Sequence, residues 1–321
     1  MDAHVPQRAG VGGVSASVPR AAARVRALAT LGLLALTAVW GSTFVLIKDV
    51  VGRMPVADFL AVRFAIAAAA MALLFARPLR RMSRLQVGRA LLLGTVYGAG
   101  QLLQTWGLAL ISPSVSGFAT GMYVVFTPLL ATVLLRQRLA GVVWLATLMS
   151  LAGLALLSLR GFEVDLGVWL TLASALLYAL HIVGLGHWSR ADEAFGMSAV
   201  QTMAIALVCM LATAPHGPVL PPDRAAWIAV LYMALVAGAG AMLMQTWAQA
   251  HLSATRTAIV MTTEPVFAAA FAVAFGSDVL SWRMLAGGAL VLAAMYLVEL
   301  MPRRRGKADA ALTAEAVHHE V

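Results

Sequence analysis

The sequence predicts an all-α membrane protein, with ten transmembrane helices arranged as two inverted five-helix repeats. Three observations carry that expectation. Of the 321 residues, 61% are hydrophobic and only 12% are charged, where a soluble domain carries about 25%. The apolar residues gather into runs near the length a helix needs to cross a bilayer, about 20 residues for a hydrocarbon core about 30 Å thick. A set of motifs in the first half also returns about 140 residues later.

Residues 1–27 are rich in Ala, Gly, Pro and Arg and read as a disordered cytoplasmic N-terminus. Arg20, Arg24 and Arg26 then precede the first apolar run. This resembles a signal peptide, but nine more apolar runs follow, so the run is read as an uncleaved span. The predicted spans are 28–47, 56–76, 86–108, 114–135, 141–159, 166–186, 197–214, 225–247, 254–275 and 282–301. Residues 302–321 form a tail. The longest predicted loop, Ala214 to Asp223, is rich in proline and too short for a folded domain. Cys209 stands alone inside an apolar run, so neither a disulfide framework nor a metal cluster is expected.

The cations set the orientation. With the N-terminus inside, 17 of the 23 lysines and arginines fall on cytoplasmic segments and 5 outside, with Arg63 inside span two. That bias places both termini in the cytoplasm. It also accounts for the net charge of +9. The arginines sit at the ends of apolar runs and form no face interleaved with aromatics, so no nucleic-acid partner is expected.

Ten spans divide into two fives, 28–160 and 161–301. Gln104-Thr105-Trp106 returns as Gln245-Thr246-Trp247, 141 positions on. Pro128 in span four returns as Pro265 in span nine, 137 positions on. Trp40 matches Tyr178 and Arg63 matches Gln201 at a spacing of 138. The first copy is longer by four residues between triplet and proline, about one helical turn. Five is odd, so the second unit enters from the opposite side. Inverted repeats of this kind characterise transporters with a substrate site near the midplane.

With these motifs in place, the chain resembles bacterial drug/metabolite transporters of the EamA type. The likeness rests on Trp40-Gly41-Ser42-Thr43-Phe44, on Phe59-Leu60-Ala61-Val62-Arg63-Phe64, on the proline-centred spans four and nine, and on Gly287-Gly288 in span ten. It covers residues 28–301. It implies a ten-helix bundle around a central cavity, in the bacterial inner membrane, exporting small metabolites or amino acids by alternating access. The chain departs from the family at Arg136-Gln137-Arg138, where the family often has an acidic residue, so no role is carried over there.

Charge at depth is costly, about 2.5–3.5 kcal/mol on insertion scales. Arg63 lies about seven residues into span two, roughly 10 Å below the outer face. It either snorkels to that interface or holds an anionic group in the cavity. Glu264 lies about eight residues into span nine, roughly 12 Å deep. It is either a structural acid bonded to Thr262, Thr263 or the Met261 carbonyl, or a carrier that loads and releases a proton. Pro265 lacks the amide that would reach that carbonyl. Pro128 and Pro265 are therefore candidate helix breaks.

Tyr97, Gln101 and Gln104 share one face of span three, and Ser174, Tyr178 and His181 share one face of span six. Such stripes face the bundle interior, as packing bonds or as ligand contacts. Trp40, Thr43, Tyr123 and Gln201 complete the cavity candidates. Trp106 and Trp247 read as anchors in the interfacial belt.

The expected function is a secondary transporter whose partners are the bilayer, a small-molecule substrate and protons. Carriage of nucleotide sugars or lipid-linked sugars is the competing reading within transport. An intramembrane enzyme would need a cluster of carboxylates or His beside Asp or Glu, and the adjacent Asp192 and Glu193 look like a solvated loop instead. No catalytic residue or metal site is assigned. There is no P-loop, and no cofactor is expected.

Overall fold

The computed structural model describes residues 17–135, 141–158, 165–190, 193–214, 217–252 and 260–299. Arg136-Gln137-Arg138, Asp192, residues 1–16 and the expected C-terminal tail lie outside the described residues, while residues 17–27, expected as part of a disordered N-terminus, form the start of the first helix. Among those described, every regular element is a helix. The first half holds α1 (Ser17–Val51), α2 (Val56–Leu74), the short α3 (Ala76–Arg80) and α4 (Arg84–Leu110), followed by α5 (Pro113–Gly121), α6 (Tyr123–Leu135) and α7 (Gly141–Ser158). The second holds α8 (Leu166–Trp188), α9 (Ala194–Ala212), α10 (Arg224–Ala234), a π-helical turn (Leu235–Gly240), α11 (Ala241–His251), α12 (Glu264–Ala274) and α13 (Trp282–Glu299).

Polar residues between the apolar runs set the helix ends. Ser83 opens α4 with a capping box: its hydroxyl accepts from the Gln86 amide and the Gln86 side chain accepts from the Ser83 amide. Ser112 caps α5, with Pro113 in the first turn. Asp223 accepts from the Ala226 amide at the start of α10. That amide, first among its contacts, holds the Asp223 carboxyl below the ordinary carboxylate range.

Six helical segments are long and apolar enough to cross a membrane: Arg24–Val51, Val56–Leu74, Pro113–Leu134, Leu166–Trp188, Ala194–Ala212 and Arg224–Ala248. The 27 residues of α4 reach about 40 Å. Its arginines, glutamines and tyrosine make it less apolar than those six. Trp144–Leu157, Glu264–Ala274 and Trp282–Leu297 are apolar but shorter.

Three predicted spans are not single regular helices. Span four is α5 and α6, joined at Met122. Pro128 lies inside α6, so the break precedes it by six residues. Span eight contains the π-helical turn, in the sequence Leu-Val-Ala-Gly-Ala-Gly. Span nine has a turn at Thr262-Thr263, and α12 starts at Glu264 with Pro265 in its first turn. There proline's missing amide costs nothing, because first-turn amides have no intrahelical partner.

The two halves interlock. Helix α4 packs on α8 and α9, α2 on α9, α7 on α13, and α12 on α1 and α5. Small residues allow these approaches. A Cβ built on Gly107 would lie 2.6 Å from the Gly167 carbonyl, and one on Gly153 would lie 2.7 Å from the Gly287 carbonyl. Gly41 meets the backbone of Ala268 at 2.8 Å in the same test.

At the end of the bundle that the charge bias places outside, polar side chains tie helix ends together. Lys48 donates to the carbonyls of Leu108, Ala109 and Ile111 at 2.9, 2.8 and 2.9 Å. It reads in the sequence as a loop cation, yet it satisfies orphan carbonyls at the end of α4. Asp278 accepts from the Ser114 amide, and Arg283 donates to the Leu156 carbonyl. Arg53 pairs with Asp49 and with Asp223. The last three of these residues' partners, Ser114, Leu156 and Asp223, lie in the half opposite to the side chain that reaches them.

Candidate substrate cavity

Between the halves lies a polar cavity. Its unfilled space is about 690 Å³ counted out to the mouth, and about 60 Å³ of that can hold the centre of a water molecule. The cavity is thus a narrow slot. It has room for a few waters.

Helix α1 contributes Trp40, Thr43, Phe44 and Ile47, and α2 contributes Arg63. The Trp40 indole donates to the Ala237 carbonyl in the π-helical turn at 3.0 Å. Thr43 donates to the Trp40 carbonyl at 2.7 Å. Arg63 is only 4% exposed, so its side chain stays within the bundle and does not extend to the interface. Nε donates to the Met233 carbonyl at 3.2 Å. The guanidinium lies 5.0 Å from the Phe64 ring centre and 6.0 Å from that of Phe59. Nη1 is buried and has no hydrogen-bond partner among the described residues. A charged donor at a cavity wall needs an acceptor, which a water or a ligand in the slot can supply.

The stripes on α4 and α8 face each other and bond together. Gln101 donates to the Tyr178 hydroxyl at 2.7 Å, Tyr178 donates to Gln104 at 2.8 Å, and Gln104 donates to Thr120 at 3.0 Å. This directional chain joins α4, α8 and α5. Tyr97 packs against the rings of Tyr178 and His181, 4.9 Å from each. Ser174 points elsewhere and donates to the Thr171 carbonyl.

His181 lines the cavity, and Gln201 supports it from α9 at 2.7 Å. The Gln201 amide nitrogen donates to the Met197 carbonyl at 3.3 Å, so its oxygen faces the ring. Nε2 of His181 is therefore the donor, and Nδ1 is left as an acceptor. Of the residues expected at the cavity, Ser174 and Gln201 are not part of the wall.

Glu264 sits where spans four and nine meet. The Tyr123 hydroxyl donates to its carboxyl at 3.3 Å, from the first residue of α6. Thr263, one of the partners considered from sequence, instead donates to the Val260 carbonyl and bonds Thr37. Gly121 lies against Pro265, where a Cβ would come within 2.8 Å of the ring.

Gln104, expected from the span-three stripe, lines the cavity too, and so do Thr105, Thr120, Gln245 and Met261, which were not among the candidates. The signal for Gln245 was present. Gln104 and Gln245 are the first residues of the repeated triplet, and both reach the same cavity. Trp106 is 40% exposed at the bundle surface, and Trp247 packs against His251 with ring centres 4.8 Å apart.

An all-helical bundle with lipid-length apolar helices and a buried polar slot defines a polytopic membrane protein. The chain belongs to the EamA-like transporter family, whose sequence model matches residues 27–159 and 165–300. The family is one of transporters, and membership in it points to membrane transport of small molecules. It is similar to an uncharacterized transporter of Archaeoglobus fulgidus, 27% identical over 276 residues, or 86% of this chain and 87% of that protein. A crystal structure 21% identical superposes with a TM-score of 0.63, covering 87% of this chain and 98% of its own. At that identity it speaks to the fold alone.

Proposed function

We propose that this protein is a proton-coupled secondary transporter that exports small metabolites or amino acids by alternating access. In this reading ten spans form two inverted fives in a bacterial inner membrane, with both termini in the cytoplasm. The observation that carries the reading is the slot between the halves, walled by a buried arginine with an unfilled donor and by a buried carboxyl group at a helix break. The family match over 27–159 and again over 165–300 supports the repeat, and the lysine and arginine bias supports the orientation. Breaks in helices at midplane depth are the places where transporters of this architecture hold substrate and coupling ion.

Uptake into proteoliposomes, with and without an imposed pH gradient, tests the function. Accumulation of an anionic or zwitterionic metabolite should follow the gradient and collapse when an ionophore removes it. Transport that ignores the gradient would discard the coupling, and selectivity for nucleotide sugars would favour the competing reading. Cysteine accessibility tests the architecture. In a chain lacking Cys209, Ser83→Cys and Leu220→Cys should label from opposite sides of the membrane, Ser83→Cys from the cytoplasm. Labelling from one side would end the five-plus-five arrangement.

A further inference from the structure

The turn between α2 and α4 does more than satisfy the charge bias. Instead of a plain loop, the chain inserts α3, and Arg77, Arg80, Arg81 and Arg84 all emerge exposed within eight residues. None of the four pairs with a carboxylate among the described residues.

The elbow is held in place from beneath. Leu79 and Met82 pack against the buried residues of α4, α8 and α9. Phe75 stacks on Phe195 with ring centres 5.4 Å apart and planes 5° apart. Gly196 lets Met82 approach so closely that a Cβ there would lie 2.9 Å from its sulfur. The Ser83–Gln86 capping box fixes the exit into α4. The four guanidinium groups therefore spring from a rigid base, which lowers the entropy lost when they grip a ligand.

On the membrane side of these arginines lies bare hydrocarbon. Leu73 and Leu74 at the end of α2 are 82% and 70% exposed, and Leu85 at the start of α4 is 63% exposed. Arg89 lies over the Trp188 ring at 5.7 Å, at the same end of the bundle. Four exposed arginines flanked along the chain by exposed leucines fit a molecule that is anionic at one end and aliphatic at the other. We propose that the α2–α3–α4 elbow is a binding site for an anionic phospholipid, its phosphate held by Arg77, Arg80, Arg81 and Arg84 and its chains lying on the leucines. Arginine forks match phosphate oxygens two at a time, and basic pockets at the cytoplasmic level of helical bundles hold diphosphate lipids of the cardiolipin type.

Native mass spectrometry of the detergent-purified full chain, titrated with cardiolipin, phosphatidylglycerol or phosphatidylcholine, tests the site. Cardiolipin should bind saturably and more tightly than phosphatidylcholine. Replacing all four arginines with glutamine should weaken cardiolipin binding roughly tenfold or more, and the R77Q/R80Q and R81Q/R84Q pairs should each lose part. These side chains are exposed, so the variants should elute as wild type. A set of four lysines should keep part of the affinity, because charge remains while the forks are lost. R24Q/R26Q removes two other exposed arginines and is the control for net charge. The site is overturned if the fourfold variant binds cardiolipin as wild type does, or if R24Q/R26Q loses as much as R77Q/R80Q. Displacement of cardiolipin by soluble glycerol phosphate would also overturn it, since a lipid site needs the chains.

Discussion

Arg63→Ala is expected to weaken transport of a carboxylate-bearing substrate by roughly 10- to 100-fold. A hydrogen bond to a charged partner contributes about 1.5–3 kcal/mol, and each 1.4 kcal/mol is about tenfold in affinity. Nη1 has no partner among the described residues, while Nε is held by the Met233 carbonyl and the ring faces of Phe59 and Phe64 steady the plane. The loss should therefore fall on KM more than on maximal rate if the contact is made equally throughout the cycle. Arg63→Lys should recover part of it, since an ammonium retains the charge without the fork. Thermal melting in detergent separates this from misfolding. If Arg63→Ala transports normally, the guanidinium is a packing group that ties α2 to the Met233 carbonyl. If it melts many degrees lower and Arg63→Lys does too, its role is structural.

Most of the helical layout was legible because apolar run length and charge placement follow directly from bilayer thickness and desolvation. The irregular points were less so. Proline was the visible marker for a break, and at Pro265 the turn lies just before it, at Thr262-Thr263. At Pro128 the helix continues, and the break falls at Met122, where no proline stands. Tight packing of Gly121 against Pro265 is a contact between distant segments, which local sequence cannot show. The π-helical turn was equally hidden, although its Ala-Gly-Ala-Gly sequence leaves room for a widened turn.

The cavity residues were legible for a related reason. A polar side chain within a lipid-length helix has few places to go, so a stripe on α4 and another on α8 pointed inward. What periodicity could not give was how they share their bonds. Gln101, Tyr178, Gln104 and Thr120 satisfy one another. Arg63, Glu264 and His181 line the slot outside that hydrogen-bonded chain. The capping role of Lys48 was hidden, because a cation at the end of a span looks like a topology signal whatever carbonyls it caps.

Glu264→Gln should abolish accumulation driven by a pH gradient while leaving exchange of labelled for unlabelled substrate. With one proton carried per substrate, one pH unit corresponds to about 1.4 kcal/mol and sustains about a tenfold concentration ratio. In the variant that ratio should fall to about one. The glutamine keeps the shape and can still accept from Tyr123, but it cannot lose a proton. The carboxyl group is placed to sense the cycle. It opens α12 after the Thr262-Thr263 turn, and its partner Tyr123 opens α6 after the break at Met122. Movement at either break would make or part the Tyr123 contact and so change the environment of the acid. Thr127, the residue before Pro128, occupies the repeat position of Glu264, so the acid belongs to one half only. Coupling through a single carboxyl group predicts one proton per cycle and a single titration step in the pH dependence of exchange. Unchanged gradient dependence in Glu264→Gln would make Glu264 a structural acid at the junction of α6 and α12 and move the coupling elsewhere.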